Sequence, residues 1–504
     1  MKVAFINQPW NSVTAPVSAG SIPIWTYETA RRFVQDTSIQ NSPSAQDPSA
    51  QDPSAQATQS GHQAVIYARR DGQQSAAETC EGIEYRRVSV AGMRHYDKMA
   101  AVGERLFPSL LYIGSWFYSL PYILRIAVDL RRQQCDVAHV HNFSQFVPVI
   151  KLFNPKIKVV LHMHCEWLNQ FERTVIAKRL AQTDLIVGCS DYITNKIKAR
   201  FPEFSDRCQR VFNGVDINQF KPAEAAVKEV SIKEAAVKKF ALQAATHKKS
   251  ALQETVQIND TDEKTGPNVL FVGRISPEKG LHTLIEAFSK LTEHFPTARL
   301  HIVGPNQPTA SKFLADLSDD PLVSRLSEFG SVNYLAHLKE KLPSKLKDQV
   351  FFPGAVSHQA LHHYFQTSDI LVNPSVSESF GMSLVEAMAA GISTVATQVG
   401  GMADVVVSGE TGLLVSPEQP DELAIAMAQL LSDRTLRAQF GKAGRARAVG
   451  VFSWEMIASD LKHCYIQMLG PNESPKGSFI GQLPVRVKAH RLAMKQPQMR
   501  DARS

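Results

Sequence analysis

Two glutamates bracket a loop and a helix start in the second half of the chain. Glu378 precedes the segment 379–383 and Glu386 follows it, an apolar run at 370–372 comes before them, and the helical pattern ends at Gly391. The first N–H groups of a helix have no partner inside the helix, so a helix that begins at the carboxyl end of a strand can bind phosphate. Carboxylates accept hydrogen bonds from sugar or ribose hydroxyls. The segment therefore predicts a site for a nucleotide diphosphate that carries a sugar.

Length and composition indicate a globular protein with more than one domain. The 504 residues are too many for a single hydrophobic core, and 44% hydrophobic with 20% charged residues is typical of globular chains. Most of the net charge of +7 lies in residues 471–504, where seven Lys and Arg stand against two acidic residues. The rest of the chain is almost neutral, so we expect no binding of nucleic acid.

Cysteine use and the first residues indicate a cytoplasmic protein. The six cysteines are scattered and form no Cys-x-x-Cys pair, which is typical of reduced thiols. Residues 1–7 contain too short an apolar run for a signal peptide and predict a β-strand instead.

Short apolar runs alternate with helical patterns along both halves of the chain. In the first half, strands are predicted at 2–6, 63–67, 137–140, 157–161 and 184–188, and helices near 24–36, 100–106, 122–133 and 190–200. In the second half, strands are predicted at 269–272, 300–303, 350–352, 370–372 and 394–396. Such alternation favours parallel sheets covered by helices. The predicted fold class is α/β, with two Rossmann-like domains whose parallel sheets face each other across a cleft.

Three segments interrupt or follow this alternation. Residues 41–60 hold a five-residue repeat without side chains that could form a core, and are expected to be a disordered insertion. Residues 223–266 balance lysines against acidic residues and are predicted to be a charged linker insertion. The resulting plan is an N-terminal domain at 1–222, a C-terminal domain at 267–452, a last helix at 453–470 and a basic disordered tail at 471–504.

Several motifs occur together in an order that is specific to one family. They are 136–141 (DVAHVH), 211–216 (VFNGVD), 271–280 (FVGRISPEKG), Gly400-Gly401, 409–415 (GETGLLV) and Ser453-Trp454. With them the chain resembles a retaining glycosyltransferase of family 4 (glycosyl transferases group 1) with the GT-B fold, over about residues 1–40, 61–222 and 267–468. The resemblance implies that the N-terminal domain binds the acceptor and the C-terminal domain the nucleotide sugar. It also implies that 453–470 crosses back to the N-terminal domain.

Cations are needed where the leaving phosphate gains negative charge as its bond to the anomeric carbon breaks. The resemblance implies that Arg274 and Lys279 bind this diphosphate. Glu378 holds hydroxyls of the transferred sugar, and Glu386 accepts from the ribose. The other donor-binding positions that it implies are Gly20, Gly273, Phe380, Gly381, Met382 and Ser383. Gly20 follows Ala19 where family members usually have a glycine pair, a departure that leaves the contacts of this loop open.

Two histidines follow the predicted strand 157–161. Family members often place a histidine near the donor sugar at this strand end, and the alignment of the strand makes His164 the first choice and His162 the second. A purely structural histidine is the alternative, because His-x-His also occurs at ordinary strand ends. The catalytic residues that the resemblance implies are His164, Arg274, Lys279 and Glu378.

Two His-x-His pairs, 139/141 and 162/164, raise the question of a zinc site. Zinc needs converging ligands, and the pairs are predicted on different strands, so we expect no bound metal. Family members generally use side-chain cations and a helix start in its place, and no other cofactor is expected. No second carboxylate on the acceptor-side strands is well placed to act as a covalent nucleophile. The resemblance therefore implies retention by same-face attack, with the departing phosphate accepting the proton of the acceptor.

The uncharged segment 107–124 offers two interpretations. Its prolines and glycine argue against a helix that spans a membrane. It forms either a core helix on the N-terminal sheet or an interfacial patch that receives a lipid-linked acceptor. Attraction of the tail 471–504 to anionic lipid would add to such a contact. The predicted location is the cytoplasm, with peripheral contact to the inner face of the plasma membrane as the second interpretation.

The predicted function is transfer of a hexose-type sugar from a nucleotide-diphosphate sugar to a hydroxyl acceptor, itself a sugar or a lipid-linked molecule. Assembly of a cell-envelope glycan or an exopolysaccharide is the setting that the family suggests. Two alternatives stay open. A nucleotide-sugar epimerase of the same fold would convert its donor without an acceptor. A non-catalytic sugar-binding or scaffold protein would bind sugar without turnover.

Overall fold

The computed structural model describes residues 1–13, 20–35, 61–72, 74–89, 119–222, 266–306, 318, 320–329 and 332–470. The insertion 41–60, the tail 471–504 and all but the last residue of the linker 223–266 lie outside the described residues, as do 100–106 and most of 107–124. What the sequence predicts for those segments stays a prediction. No helix in the described ranges combines the length and the apolar character needed to cross a membrane.

The first half forms an eight-stranded sheet in the order β3-β4-β2-β1-β5-β6-β7-β8. Its strands are β1 (Lys2–Ile6), β2 (Gln63–Arg69), β3 (Ala77–Cys80), β4 (Ile83–Val88), β5 (Val137–His141), β6 (Lys158–Met163), β7 (Leu185–Gly188) and β8 (Cys208–Arg210). Neighbouring strands are parallel except β3 and β4, which pair antiparallel. The five strands predicted in this half are confirmed. Strands β3, β4 and β8 are additional, because they are short or mix apolar with charged residues.

Helices connect these strands. They are α1 (Ser21–Gln35), α2 (Leu120–Gln133), α3 (Phe146–Phe153), α4 (Trp167–Gln170), α5 (Arg173–Leu180) and α6 (Asp191–Arg200), with a 3₁₀ helix at Pro202–Arg207. Helix α6 begins after Ser190, whose hydroxyl accepts a hydrogen bond from the N–H of Ile193 at 3.1 Å. This is the usual N-cap arrangement, so the helix start can be read from the sequence.

The second half forms a six-stranded sheet in the order β11-β10-β9-β12-β13-β14, and all its neighbouring strands are parallel. The strands are β9 (Asn268–Val272), β10 (Arg299–Val303), β11 (Val350–Gly354), β12 (Ile370–Asn373), β13 (Ser393–Thr397) and β14 (Gly412–Val415). The two parallel α/β sheets confirm the predicted fold class. The strand order reverses between β9 and β12, and ligands of such sheets bind in the crevice at the carboxyl ends of the strands on either side of that reversal.

The second half has nine α-helices in the described ranges. They are α7 (Leu281–Leu291), α8 (Pro321–Arg325), α9 (Tyr334–Lys341), α10 (His358–Gln366), α11 (Met382–Ala389), α12 (Met402–Val405), α13 (Pro420–Ser432), α14 (Arg434–Val451) and α15 (Trp454–Leu469). Short 3₁₀ helices span Pro277–Lys279, Leu326–Phe329 and Ser344–Leu346.

The last helix, α15, contacts the first half of the chain. The hydroxyl of Tyr465 lies 2.7 Å from Nδ1 of His139 on β5, and both side chains are buried. Arg32 of α1 forms an ion pair with Glu455 at 2.8 Å. Segment 453–470 therefore lies against the N-terminal sheet and α1, while the domain boundaries assigned from the sequence stay predictions.

Candidate active site

The loop after β9 is held in shape by a buried glutamate. Glu278 is 2% exposed, and its Oε1 accepts hydrogen bonds from Ser276 Oγ at 2.6 Å and from Arg274 Nη2 at 3.1 Å. Its carbonyl accepts the N–H of Val376, which lies in the loop after β12, at 2.8 Å. Glu278 therefore orients Arg274 and joins the two loops at the strand reversal. The motifs alone do not predict a role for Glu278, because a lone glutamate in a loop usually lies on the surface.

Lys279 and Glu378 meet across this crevice. Nζ of Lys279 lies 2.6 Å from Oε2 of Glu378, and the two side chains are 12% and 19% exposed. Burial would raise the pKa of Glu378, but the charges of Lys279 and Arg274 and the backbone N–H of Phe380 hold that pKa below its ordinary value of 4.5. Glu378 is therefore ionised at neutral pH. Two cations and one carboxylate, all assigned to the donor site from the sequence, form one electrostatic cluster.

The loop that carries Glu378 packs closely against two glycines. Gly401 donates its N–H to the carbonyl of Glu378 at 3.0 Å. Gly400 has a φ of +53°, and a Cβ at this position would lie 1.8 Å from the same carbonyl oxygen. Only glycine fits so close to another backbone in this conformation. The Gly400-Gly401 motif therefore fixes the position of Glu378.

Helix α11 begins at a glycine in the left-handed region. Gly381 has a φ of +99° and is the N-cap of the helix. In the described chain, the N–H groups of Met382 and Ser383 donate to no backbone carbonyl. They lie at the helix start for which the sequence predicts phosphate binding. The side chain of Phe380 is buried between Phe212 and Phe452, with ring centroids 5.7 and 5.8 Å away. Phe380 can therefore contact a sugar-donor substrate only through its backbone.

A cleft of about 320 Å³ lies between the two halves of the chain. Gly20 and Trp454 line it on one side, and Pro305, Met382 and Glu386 line it on the other. Gly20 has a φ of +84°, so this loop position favours glycine. Arg274, Lys279, Glu378 and His164 do not line this cleft. Gly273 follows β9 and donates its N–H to the carbonyl of Val303 at 3.0 Å.

The two His-x-His pairs converge, contrary to what their different strands predict. Strands β5 and β6 are neighbours, and their register places His141 opposite His162. The ring nitrogens of His139, His141 and His162 lie within 4.8 Å of one another, close enough to hold a metal ion. The prediction that different strands keep the pairs apart is therefore wrong. That the protein binds no metal stays a prediction.

Hydrogen bonds engage most nitrogens of these imidazoles. Nε2 of His139 lies 3.2 Å from Nδ1 of His162, and Nδ1 of His141 lies 3.0 Å from Nε2 of His164. Burial lowers the pKa of His139, His141 and His162 well below 6.5 and that of His164 to about 4. The four side chains are therefore neutral at pH 7.

His164 stands at the carboxyl end of β6 and is half-buried. In the described chain it is not hydrogen-bonded to Arg274, Lys279 or Glu378. Contacts between the halves occur beside it. Cys189, at the end of β7, directs its thiol at the carbonyl of Ser379 at 3.8 Å. The structure thus brings the Glu378 loop to the strand ends of the N-terminal sheet, and joins Arg274 and Lys279 to Glu378 but not to His164.

Two family models match the chain. Residues 253–447 match the model described as Glycosyl transferases group 1, and residues 54–219 match the model described as Glycosyltransferase Family 4. The chain belongs to this glycosyltransferase family. The family inferred from its motifs is therefore confirmed, as is its assignment as a transferase enzyme.

Individual proteins and solved structures are also similar to this glycosyltransferase. Spore coat protein SA of Bacillus subtilis (strain 168) is 27% identical over 352 residues, which are 68% of this chain and 80% of that protein. The solved structure of sucrose-phosphate synthase from Thermosynechococcus elongatus has a TM-score of 0.60 at 20% identity, covering 93% of this chain and 99% of that one. Anabaena HepE in complex with UDP and glucose has a TM-score of 0.57 at 17% identity, covering 92% and 99%. The GT-B fold is confirmed.

Proposed function

We propose that this glycosyltransferase moves a sugar from a nucleotide-diphosphate sugar to a hydroxyl acceptor with retention of anomeric configuration. The observation that carries the proposal is the cluster of Arg274, Lys279 and Glu378 at the strand reversal, beside the start of α11. The similar structure of HepE, which is in complex with UDP and glucose, supports a donor of this class.

The nucleotide lies along the C-terminal side of the cleft in this proposal. The diphosphate takes the N–H groups at the start of α11 and the charges of Arg274 and Lys279. Glu386, which lines the cleft and is 7% exposed, accepts from the ribose hydroxyls. The base lies near Ala355 and Val356, which also line the cleft. Glu378 accepts from hydroxyls of the transferred sugar.

The chemistry follows from these charges. As the bond from the anomeric carbon to the diphosphate breaks, Arg274 and Lys279 stabilise the negative charge on the leaving phosphate without a divalent metal. The phosphate oxygen then accepts the proton of the acceptor hydroxyl, which attacks from the same face. Glu166 is the carboxylate nearest to His164 along the chain, but it is paired with Lys196 at 2.5 Å and with the hydroxyl of Tyr192 at 2.8 Å. This pairing supports a mechanism without a covalent carboxylate intermediate.

The acceptor is proposed to be a sugar or a lipid-linked hydroxyl in the assembly of a cell-envelope glycan or exopolysaccharide. The reaction is proposed to take place in the cytoplasm, and all six cysteines are free thiols, which fits a reducing compartment. Peripheral contact with the inner membrane surface through 107–124 or the tail is proposed as the route to a lipid-linked acceptor.

Proton NMR of UDP-, GDP- and ADP-sugars incubated with the enzyme in EDTA tests the proposal. The expected result is release of nucleoside diphosphate and a new anomeric signal with the configuration of the donor, only when an acceptor from a panel of sugars and lipid-linked sugars is present. A donor epimer formed without acceptor would favour the epimerase alternative. An inverted product would contradict retention, and a requirement for divalent metal would contradict the role given to Arg274 and Lys279.

A further inference from the structure

A row of buried hydrogen bonds runs from β1 to His164. Nε2 of His164 lies 3.0 Å from Nδ1 of His141, and Nε2 of His141 lies 3.1 Å from Oγ1 of Thr26 on α1. Oγ1 of Thr26 donates to Oδ1 of Asn7 at 3.1 Å. Asn7, Thr26 and His141 have no exposed surface. These three side chains are therefore closed to bulk solvent, and each hydrogen position in the row is set by its protein partners.

At the Asn7 end of the row, the direction of hydrogen-bond donation is fixed. The side-chain N–H of Asn7 donates to the carbonyl of Tyr67 at 3.4 Å, so Oδ1 of Asn7 is the atom that faces Thr26, and it can only accept. The single hydrogen of the Thr26 hydroxyl is therefore used on Asn7. Oγ1 of Thr26 has only lone pairs left for His141.

The two imidazoles continue this direction. His141 must donate from Nε2 to Thr26, and a neutral imidazole carries only one N–H, so Nδ1 of His141 is an acceptor. His164 must then donate from Nε2 to His141. Nδ1 of His164 is left as a bare lone pair. Three residues from three separate segments, Asn7, Thr26 and His141, thus determine the hydrogen on one side chain.

A second acceptor lies beside the His164 imidazole. The side chain of Asn213 raises the pKa of His164, although burial lowers that pKa more, and Oδ1 of Asn213 is buried without a hydrogen-bond partner in the described chain. Asn213 immediately precedes Gly214, which lines the cleft between the two halves. Two acceptors without donors are matched by the hydroxyls of a sugar, because each hydroxyl supplies one hydrogen.

We propose that Asn7, Thr26 and His141 are positioning residues that hold His164 in the Nε2–H tautomer, so that its Nδ1 accepts a hydrogen bond from a sugar hydroxyl. The assignment of the hydroxyl to donor or acceptor sugar rests on the proposed function. The tautomer itself does not, because it follows from the hydrogen bonds alone. The row therefore selects ligands that donate a hydrogen at this point and disfavours ligands that only accept.

The test is long-range ¹⁵N–¹H NMR of the full chain labelled in histidine, with His164→Asn used to assign the His164 signals. The expected wild-type spectrum shows His164 protonated on Nε2 and unprotonated on Nδ1. Protonation on Nδ1 would overturn the inference, whether or not the enzyme turns over. This readout separates the inference from the proposed function, which fails only in the transfer assay.

Three variants on α1 provide the matched comparison. Thr26→Val removes the hydroxyl with little change of shape, and should populate the other His164 tautomer and lower kcat/KM about tenfold. Thr26→Ser should restore the wild-type spectrum and rate. Thr29→Val is the control, because Thr29 is buried on the same helix and its hydroxyl has no hydrogen-bond partner in the described chain. A wild-type tautomer in folded Thr26→Val, or the same change in Thr29→Val, would overturn the role of the Thr26 hydroxyl.

Discussion

Lys279 and Glu378 form an ion pair whose Nζ and Oε2 atoms are 2.6 Å apart, across the point where the strand order of the second sheet reverses. The pair joins the loop after β9 to the loop after β12. Its position makes it a link between the two parts of the proposed donor site as well as a source of charge. In the proposed function, Lys279 serves the diphosphate and Glu378 serves the sugar, so each orients the other before the donor binds.

Lys279→Ala should lower the free energy of unfolding by about 2–3 kcal/mol, since it leaves a largely buried carboxylate without its main partner. Urea unfolding at pH 7.5 measures this. Lys290→Ala is the control, because Lys290 pairs with Asp421 and Glu286 on an exposed surface, and its loss should change stability little. Equal effects of the two substitutions would show that the Lys279–Glu378 pair contributes no more to the free energy of unfolding than an exposed ion pair.

Arg274→Ala should reduce kcat/KM by a factor that corresponds to about 2–4 kcal/mol, as the loss of a group that stabilises developing charge does. The fold should be preserved, because the Arg274 side chain is 39% exposed. Steady-state kinetics with the donor identified by NMR measures the effect. Arg299→Ala, at the exposed start of β10, is the comparison and should keep wild-type kinetics. Near-normal turnover of Arg274→Ala would show that Arg274 does not stabilise the transition state.

Gly400→Ala should disrupt the Glu378 loop, whereas Gly409→Ala should not. Both glycines have positive φ, +53° and +79°, so both substitutions carry similar backbone strain. A Cβ at Gly400 would collide with the carbonyl of Glu378, while one at Gly409 meets nothing within 4 Å. Gly400→Ala should therefore be less stable by about 2 kcal/mol more than Gly409→Ala, and should lose donor binding. Equal unfolding free energies would contradict the close approach.

Stability should fall as pH drops below about 6.5, because the four clustered histidines are neutral in the folded state. In the unfolded chain they take up protons near pH 6.5. The unfolded state then binds more protons than the folded state, so the free energy of unfolding rises with pH across this range. Each histidine contributes about 1.4 kcal/mol per pH unit below 6.5, until its folded-state pKa is reached.

Urea unfolding at pH 7.5, 6.0 and 5.5 measures the slope. His162→Gln removes one titrating group, whatever its effect on stability at pH 7.5. It should therefore lower the slope of the free energy of unfolding against pH by the contribution of one histidine. An unchanged slope would mean that His162 is already protonated in the folded protein.

The sequence predicts what depends on local pattern. The buried run of β1 and helix α11, which ends two residues before Gly391, could be located because their residues alternate or cluster in a way that only one local structure satisfies. Strands such as β8 could not, because three residues of mixed polarity become a strand only when β7 is beside them. The motif 409–415 was recognised, but its strand β14 follows from pairing with β13.

The candidate site shows the same division. Arg274, Lys279 and Glu378 could be selected from motif spacing, and the structure groups them. The convergence of His139 with His162 depends on the register between β5 and β6, which no local pattern contains. The burial of Glu278 likewise depends on Val376, nearly a hundred residues further along the chain.

In the proposed donor site, a nucleoside diphosphate binds between Arg274, Lys279 and the start of α11. Isothermal titration calorimetry of UDP, GDP and ADP in EDTA, on the wild type, Lys279→Ala and Lys290→Ala, tests this binding. One nucleotide should bind the wild type and Lys290→Ala with similar affinity and bind Lys279→Ala much more weakly. At about 100 times its Kd it should stabilise the wild type by roughly 2.7 kcal/mol. Equal affinity for Lys279→Ala, or no binding of any of the three nucleotides, would contradict the proposed diphosphate site.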